Sequence, residues 1–211
     1  MTDYAHRCGF APAPEFASRV ESFAIALSQW GARTNLTARP DDPEEIAFHI
    51  ADSLAPLQVP RSSVLAHAFD AIHKVLDLGS GAGFPGLILA AATPAQFTLL
   101  EARHRRASFL QVAAAAMGLR NVAVRAQFEP RDRAAHDVVT ARAFGAPAVA
   151  LKIAAGALKP GGRMILYANP AQRLETDAGS AYGLNLDETY EYWLERGVIR
   201  MKRVLLIWTH R

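Results

Sequence analysis

The sequence predicts an α/β fold: a mostly parallel sheet with helices on both faces, a helical N-terminal extension and an antiparallel C-terminal hairpin. Three observations lead to it. Short apolar runs at 74–78, 96–100, 122–125, 137–140 and 164–167 alternate with helical patterns through the middle of the chain, as strands joined by crossover helices do. Helical spacing without strands precedes them, and two strand-like runs separated by Gly197 follow. With 211 residues, 51% of them hydrophobic, the chain supports one full core and leaves about 50 residues for an appended element. The expected division is an extension over 1–62 and a sheet domain over 63–211.

Residues 1–14 contain Pro12 and Pro14 and read as a lead-in. Phe16, Val20, Phe23, Ile25, Leu27 and Trp30 recur at helical spacing. Asp41, Asp42 and Pro43 supply a cap and first turn for a helix over 44–54. Residues 65–72 fit one further short helix. Within the sheet domain, helices are expected over 86–92, 105–117 and 147–157, the second ended by Gly118, glycine being the common residue just past a helix end. Lys159-Pro-Gly-Gly162 reads as a turn before the fifth strand, and 170–180 as a polar loop. Runs at 190–194 and 204–208 form the hairpin.

Composition excludes several classes. No apolar run reaches the roughly 18 residues of a membrane span, and the first ten residues, with Asp3, His6 and Arg7, lack the apolar core of a signal peptide. Cys8 is the single cysteine, so no internal disulfide or cysteine-rich metal cluster forms. No His, Asp, Glu and Cys set has ligand spacing, so no metal is expected. A cytoplasmic, monomeric protein is the expectation. The net charge is +3, and of 23 basic residues only Lys74, Lys152, Lys159 and Lys202 are lysines. Arginine pairs with phosphate and stacks on bases, although a GC-rich genome gives the same bias.

The segment Val75-Leu-Asp-Leu-Gly-Ser-Gly-Ala-Gly-Phe-Pro-Gly86 is the strongest chemical signal. A buried strand runs into Gly79, Ser80, Gly81, Gly83 and Phe84, where glycines let a ligand approach the backbone, and a helix follows. Dinucleotide sites use a similar pattern, but two carboxylates favour S-adenosylmethionine. Asp77, at the strand end, would repel a pyrophosphate and attract the cationic amino-acid end of that cofactor. Glu101, where the second strand ends, can accept hydrogen bonds from both ribose hydroxyls, and Ala102 beside it is a further cofactor-binding candidate. Phe128 and Glu129, at the third strand-to-helix junction, would border the adenine, or belong to a surface loop with one core Phe. A plain turn with a solvated Asp77, or a nicotinamide site, are the alternatives.

The chain resembles the bacterial 16S ribosomal RNA 7-methylguanosine methyltransferases, the RsmG family, formerly called glucose-inhibited division protein B. The resemblance rests on Asn35-Leu-Thr37, His49-Ile-x-Asp-Ser-Leu54, the glycine segment, Leu99-Leu-Glu101, Arg105-Arg-Ala-x-Phe-Leu110 and Ala141-Arg-Ala-Phe144, in family order over about residues 15 to 165. The Leu-Lys-Gly usual after the family's fifth strand is replaced by Leu166-Tyr-Ala-Asn-Pro170. The resemblance implies a class I methyltransferase (Rossmann-like) fold, S-adenosylmethionine as cofactor, and 16S rRNA or the small ribosomal subunit as partner, with guanine N7 as acceptor. It makes Arg142 and Asn35 the candidate catalytic residues. Arg142, at the carboxyl edge of the sheet where open α/β folds bind ligands, would clamp a phosphate or the guanine O6 edge or touch the cofactor, or else pair with a nearby carboxylate. Asn35 would lie over the cofactor or base, or merely cap a turn. His49 and Asp52 share one helix face and would tie the extension to the sheet. Arg103, His104, Arg105 and Arg106, with Arg125, Arg131 and Arg133, would form a basic rim for RNA, or simply a solvated face. Other readings are a small-molecule methyltransferase on the same fold and an inactive module binding S-adenosylmethionine or RNA.

Overall fold

In a computed structural model describing residues 14–34, 36–170 and 177–211, seven strands form one sheet in the order β3-β2-β1-β4-β5-β7-β6. They are β1 (Lys74–Leu78), β2 (Gln96–Leu100), β3 (Val122–Arg125), β4 (His136–Arg142), β5 (Leu158–Ala168), β6 (Leu184–Arg196) and β7 (Ile199–His210). The first five are parallel, and β7 runs antiparallel to both β5 and β6. The strand order reverses between β1 and β4, which opens a crevice at the carboxyl ends of those strands.

The helices are α1 (Phe16–Thr34), α2 (Pro43–Ser53), α3 (Gly86–Ala92), α4 (His104–Ala116) and α5 (Pro147–Ala157). In α1, Phe16, Val20, Phe23 and Leu27 are buried on one helical stripe. Asp42 caps α2 by accepting from the Glu44 and Glu45 N–H groups, and Pro43 starts it, where its missing N–H costs nothing. Helices α1 to α4 share one core with one sheet face; α5 packs on the other. Phe23 is the hinge of the first core, edge-on to Phe84 at 5.2 Å and tilted against Phe109 at 6.3 Å.

Two local expectations are corrected. Residues 65–72 form consecutive turns, not a helix, with N–H donations from Ala66 to Ser63, Ala68 to Leu65 and Asp70 to His67. Eight residues scarcely repay helix nucleation, and the Glu188 carboxylate fixes the segment's start by accepting from Ser63 Oγ and Val64 N. The Lys159–Gly162 turn lies inside β5. His136 pairs with Leu158 and Val138 with Arg163, so the turn chemistry survives as a wide bulge held by a Lys159–Asp137 contact of 2.7 Å. The hairpin strands are also longer than the apolar runs, because β6 and β7 stay paired where their outer residues are polar. The polar loop's residues 171–176 lie outside the described residues.

Replacing Phe23 by Ala removes the ring that joins extension to sheet. The expected cost is about 3–5 kcal/mol, read as a lowered urea midpoint with an unchanged slope.

Candidate active site

The central strand β1 is buried on both faces, so a carboxylate on it demands a reason. Asp77 is fully buried. Its Oδ1 accepts from Thr140 Oγ1 at 2.7 Å, while Oδ2 has no hydrogen-bond partner among the described residues. The Gly86 amide lies close by without completing one. Burial pushes the Asp77 carboxyl above the usual carboxylate range, against the Ser80 and Thr140 hydroxyls, the Gly86 amide and the Arg142 charge, which pull the other way. Such a group is short of one cation or donor.

The turn after β1 explains its glycines at two places. Gly79 has φ +65°, and an added Cβ would come within 2.5 Å of the Phe144 ring. At Gly86 an added Cβ would meet Leu99 at 2.4 Å and Asp77 Oδ2 at 2.6 Å, so α3 starts against the carboxylate only because that residue is glycine. Ser80 is buried and donates to the Asp77 carbonyl at 3.2 Å. Gly83 packs on Leu87 and Phe23. Glu101 is buried and accepts from Gly81 N at 3.0 Å and from Arg103 N at 2.8 Å. It therefore ties the two strand-end loops together, and each oxygen keeps one lone pair.

Asp77, Gly79, Ser80, Gly81 and Glu101 are thus brought together across β1 and β2. Other candidates are used differently. The Phe84 ring is buried against Phe23, His49 at 5.0 Å, and the Arg142 guanidinium at 5.3 Å, which leaves its backbone at the turn. Ala102 is exposed. Phe128 is half-buried against the core on the α5 side, and Glu129 is held by Arg131 at 2.7 Å. Asn35 lies outside the described residues.

Arg142, at the end of β4, lines a cavity of about 460 Å³ with Phe48, His49, Asp52, Phe144, Tyr167 and Arg203 among its walls. Its Nη1 donates to Asp52 Oδ2 at 2.8 Å and its Nη2 to His49 Nδ1 at 3.1 Å. Asp52, 1% exposed, also accepts from Tyr192 Oη at 2.6 Å and lies 3.4 Å from Arg203 Nε. Arginine only donates, so His49 Nδ1 must accept and its proton sits on Nε2, 3.3 Å from Glu45 Oε1. Burial, then the Arg142 charge, lower the His49 pKa to about 4, so the ring is neutral at pH 7.

The sequence did not reveal Phe144, Tyr192 or Arg203 as neighbours of Arg142. Phe144 stands in the Ala-Arg-Ala-Phe motif, a signal that was available. Tyr192 and Arg203 depend on the register of a distant hairpin. Within the expected basic rim, Arg125 pairs with buried Asp132 and Arg131 with Glu129, while Arg103, His104, Arg105 and Arg133 are exposed. Among the described residues no helix is long and apolar enough to cross a membrane.

Residues 17–183 match the model of the family GidB: rRNA small subunit methyltransferase G. The ribosomal RNA small subunit methyltransferase G of Acidiphilium cryptum (strain JF-5) is 42% identical over 147 residues, covering 68% of this chain and 64% of that protein. The one of Anaeromyxobacter sp. (strain Fw109-5) is 32% identical over 206 residues, covering 94% and 91%. The chain thus spans slightly under two thirds of the former and most of the latter. Among solved structures, the YcgJ protein from Bacillus subtilis aligns with a TM-score of 0.56 at 16% identity, over 75% of this chain and 98% of that one. M. jannaschii TYW2 in complex with AdoMet aligns with a TM-score of 0.54 at 15% identity, over 70% and 74%. At these identities the likeness is one of fold.

Two outcomes are expected. Asp52→Ala strips Arg142 and Arg203 of their shared buried counter-charge and should cost about 3–5 kcal/mol, measured by urea unfolding. Unfolded histidine protonates near its usual value of 6.5 and folded His49 only near 4, so the unfolded chain binds more protons in that window. Stability should therefore fall by as much as about 3 kcal/mol between pH 6.5 and 4. His49→Gln should flatten that part of the profile; an identical slope in the variant would refute the assignment.

Proposed function

The chain belongs to the GidB family, rRNA small subunit methyltransferase G, and from that premise we propose that it transfers a methyl group from S-adenosylmethionine to N7 of a guanine in 16S rRNA. It acts in the cytoplasm as a monomer, on the rRNA or the small subunit. The observation that supports this most directly is the buried Asp77, whose Oδ2 has no partner among the described residues, beside a turn that glycine keeps open. A cationic amino-acid group suits that oxygen; a pyrophosphate does not.

Asp77 would hold the ammonium end of S-adenosylmethionine, and the spare lone pairs of Glu101 would accept from the ribose hydroxyls. The backbone of Gly79 to Gly83 would border the amino-acid moiety, and Phe128 the adenine. When bound, the cofactor supplies a methyl group already activated on a sulfonium. Guanine N7 offers an unprotonated lone pair at neutral pH, so the protein needs to align and dry the pair of reactants, with no base to remove a proton. The cavity walled by Phe48, Phe144, Tyr167 and Arg142 gives apolar surface for a base and a fixed donor for its edge. Arg142 is the candidate catalytic residue that would donate to guanine O6 or a neighbouring phosphate. Methylation leaves a positive base, and Asp52 offsets the Arg142 charge beside it.

The test is incubation of the full chain with methyl-labelled S-adenosylmethionine and 16S rRNA, 30S particles or a metabolite extract. Label in 16S rRNA is expected, with borohydride and aniline breaking the strand at one guanine. Label in a metabolite alone, or cofactor binding without transfer, would overturn the reading. Asp77→Ala and Glu101→Ala should each weaken cofactor binding about tenfold or more, the value of one hydrogen bond to a charged group. Unchanged affinity in both would remove the cofactor site from this crevice.

A further inference from the structure

Val204 is the last residue of β7 paired with β5, at Ala168. Beyond it β6 and β7 continue alone, from the Glu191–Val204 rung to the Arg196–Ile199 rung. This two-stranded arm overhangs the carboxyl edge of the parallel sheet, on the side of the Arg142 cavity. One face of the arm is spent: Tyr192 and Leu194 are buried in the core shared with α2, and Arg196 reaches Glu45 at 2.7 Å.

The opposite face carries Glu191, Trp193 and Glu195, across from Lys202 and Arg200. Trp193 is 50% exposed. The Arg200 guanidinium lies over its ring, 4.7 Å from the centroid, and no carboxylate among the described residues pairs with Arg200. Lys202 is held by Glu191 at 2.6 Å. Two other apolar residues at the tip are exposed: Val198 lies in the turn itself, and Ile199 alternates to the α2 face with Met201 and Arg203, so neither shares the outer face of the paired strands with Trp193. That argues against a protein partner, whose contact core would be apolar and poor in charge. A tryptophan left half in water beside a guanidinium plane with no carboxylate partner is instead the combination on which an unpaired base stacks while its phosphate is neutralised.

Distance links this face to the cavity. Arg203 lines the cavity, and three residues along β7 to Arg200 cover ~10 Å. The outer face of the arm is thus within reach of an RNA strand whose target base enters the cavity. We propose that the outer face of this arm, Trp193 with Arg200, is a stacking subsite for an unpaired nucleotide adjoining the base that enters the cavity. The inference rests on the RNA-methylating reading. It also extends it, since the arm lies past residue 183, where the family match ends.

Two measurements on the full chain test it: fluorescence anisotropy of a labelled oligouridine of about a dozen nucleotides, and methyl transfer to 16S rRNA. Trp193→Ala should weaken oligouridine binding about tenfold and raise KM for rRNA by a similar factor, with kcat and S-adenosylmethionine affinity retained. Trp193→Phe should restore most of both. Unchanged binding and KM in Trp193→Ala would overturn the subsite, as would a Trp193→Phe variant as weak as Trp193→Ala. Trp193-dependent binding of ribosomal protein extract with no effect on RNA would also overturn it. If the parent chain methylates no rRNA yet binds oligouridine through Trp193, the substrate reading falls and the subsite stands.

Discussion

The carboxylate of Asp52 holds three separate parts of the chain in one geometry. It sits near the end of α2, and its partners come from the end of β4 (Arg142), from β6 (Tyr192) and from β7 (Arg203). A charge with 1% exposure is tolerable only when its lone pairs are filled and its charge is met. Any other seating of α2 on the carboxyl edge of the sheet would leave Asp52 or Arg142 buried and alone. The ion cluster therefore fixes where the extension lands, and with it the wall that Phe48 and His49 give to the cavity. It also holds Arg142 still, so that a ligand binding there loses little to ordering the side chain.

The two carboxylates at the ends of β1 and β2 carry the same charge in opposite circumstances. Glu101 is met by two backbone amides, so it braces the loops and holds its two remaining lone pairs in a fixed position. Asp77 has a hydroxyl donor on one oxygen and no hydrogen-bond partner among the described residues on the other, and burial raises its proton affinity. The first is a structural post that can also bind; the second is a destabilised charge that a cation would relieve. Strain of this kind on a central strand is expected where a site has been selected over stability.

What could be read from residues alone divides along physical lines. The parallel strands were legible as short apolar runs alternating with helical patterns, and β1, α3, α4 and α5 also because glycine or proline stands at or near their ends. Asp77 and Glu101 were legible because a carboxylate at the end of a buried strand breaks the apolar pattern. The 65–72 segment misled because Leu65 and Phe69 are four apart, yet consecutive turns bury them just as well once Glu188 anchors the start. The Lys159–Gly162 turn was real as local chemistry but lies within a strand, since β4 pairs on both sides of it. The partners of Asp52 were out of reach. Tyr192 and Arg203 face each other across a hairpin whose register is set by 12 or 13 residues of pairing per strand. No local pattern announces that register.

Proton transfer gives a last constraint on the chemistry. His49, the histidine lining the cavity, is neutral, but its Nδ1 is occupied by Arg142 and its Nε2 hydrogen faces Glu45. Tyr167 and Tyr192 are pushed far above the ordinary phenol value, mainly by burial, and their hydroxyls donate to the Ser53 carbonyl and to Asp52. Asp52 is filled by cations. Each titratable wall residue with a described partner is thus spent on holding the wall together. A substrate needing its proton removed would find the cavity ill equipped. A ring nitrogen that already presents a bare lone pair asks only for position, dryness and a counter-charge, which these residues can supply because none of them has to react.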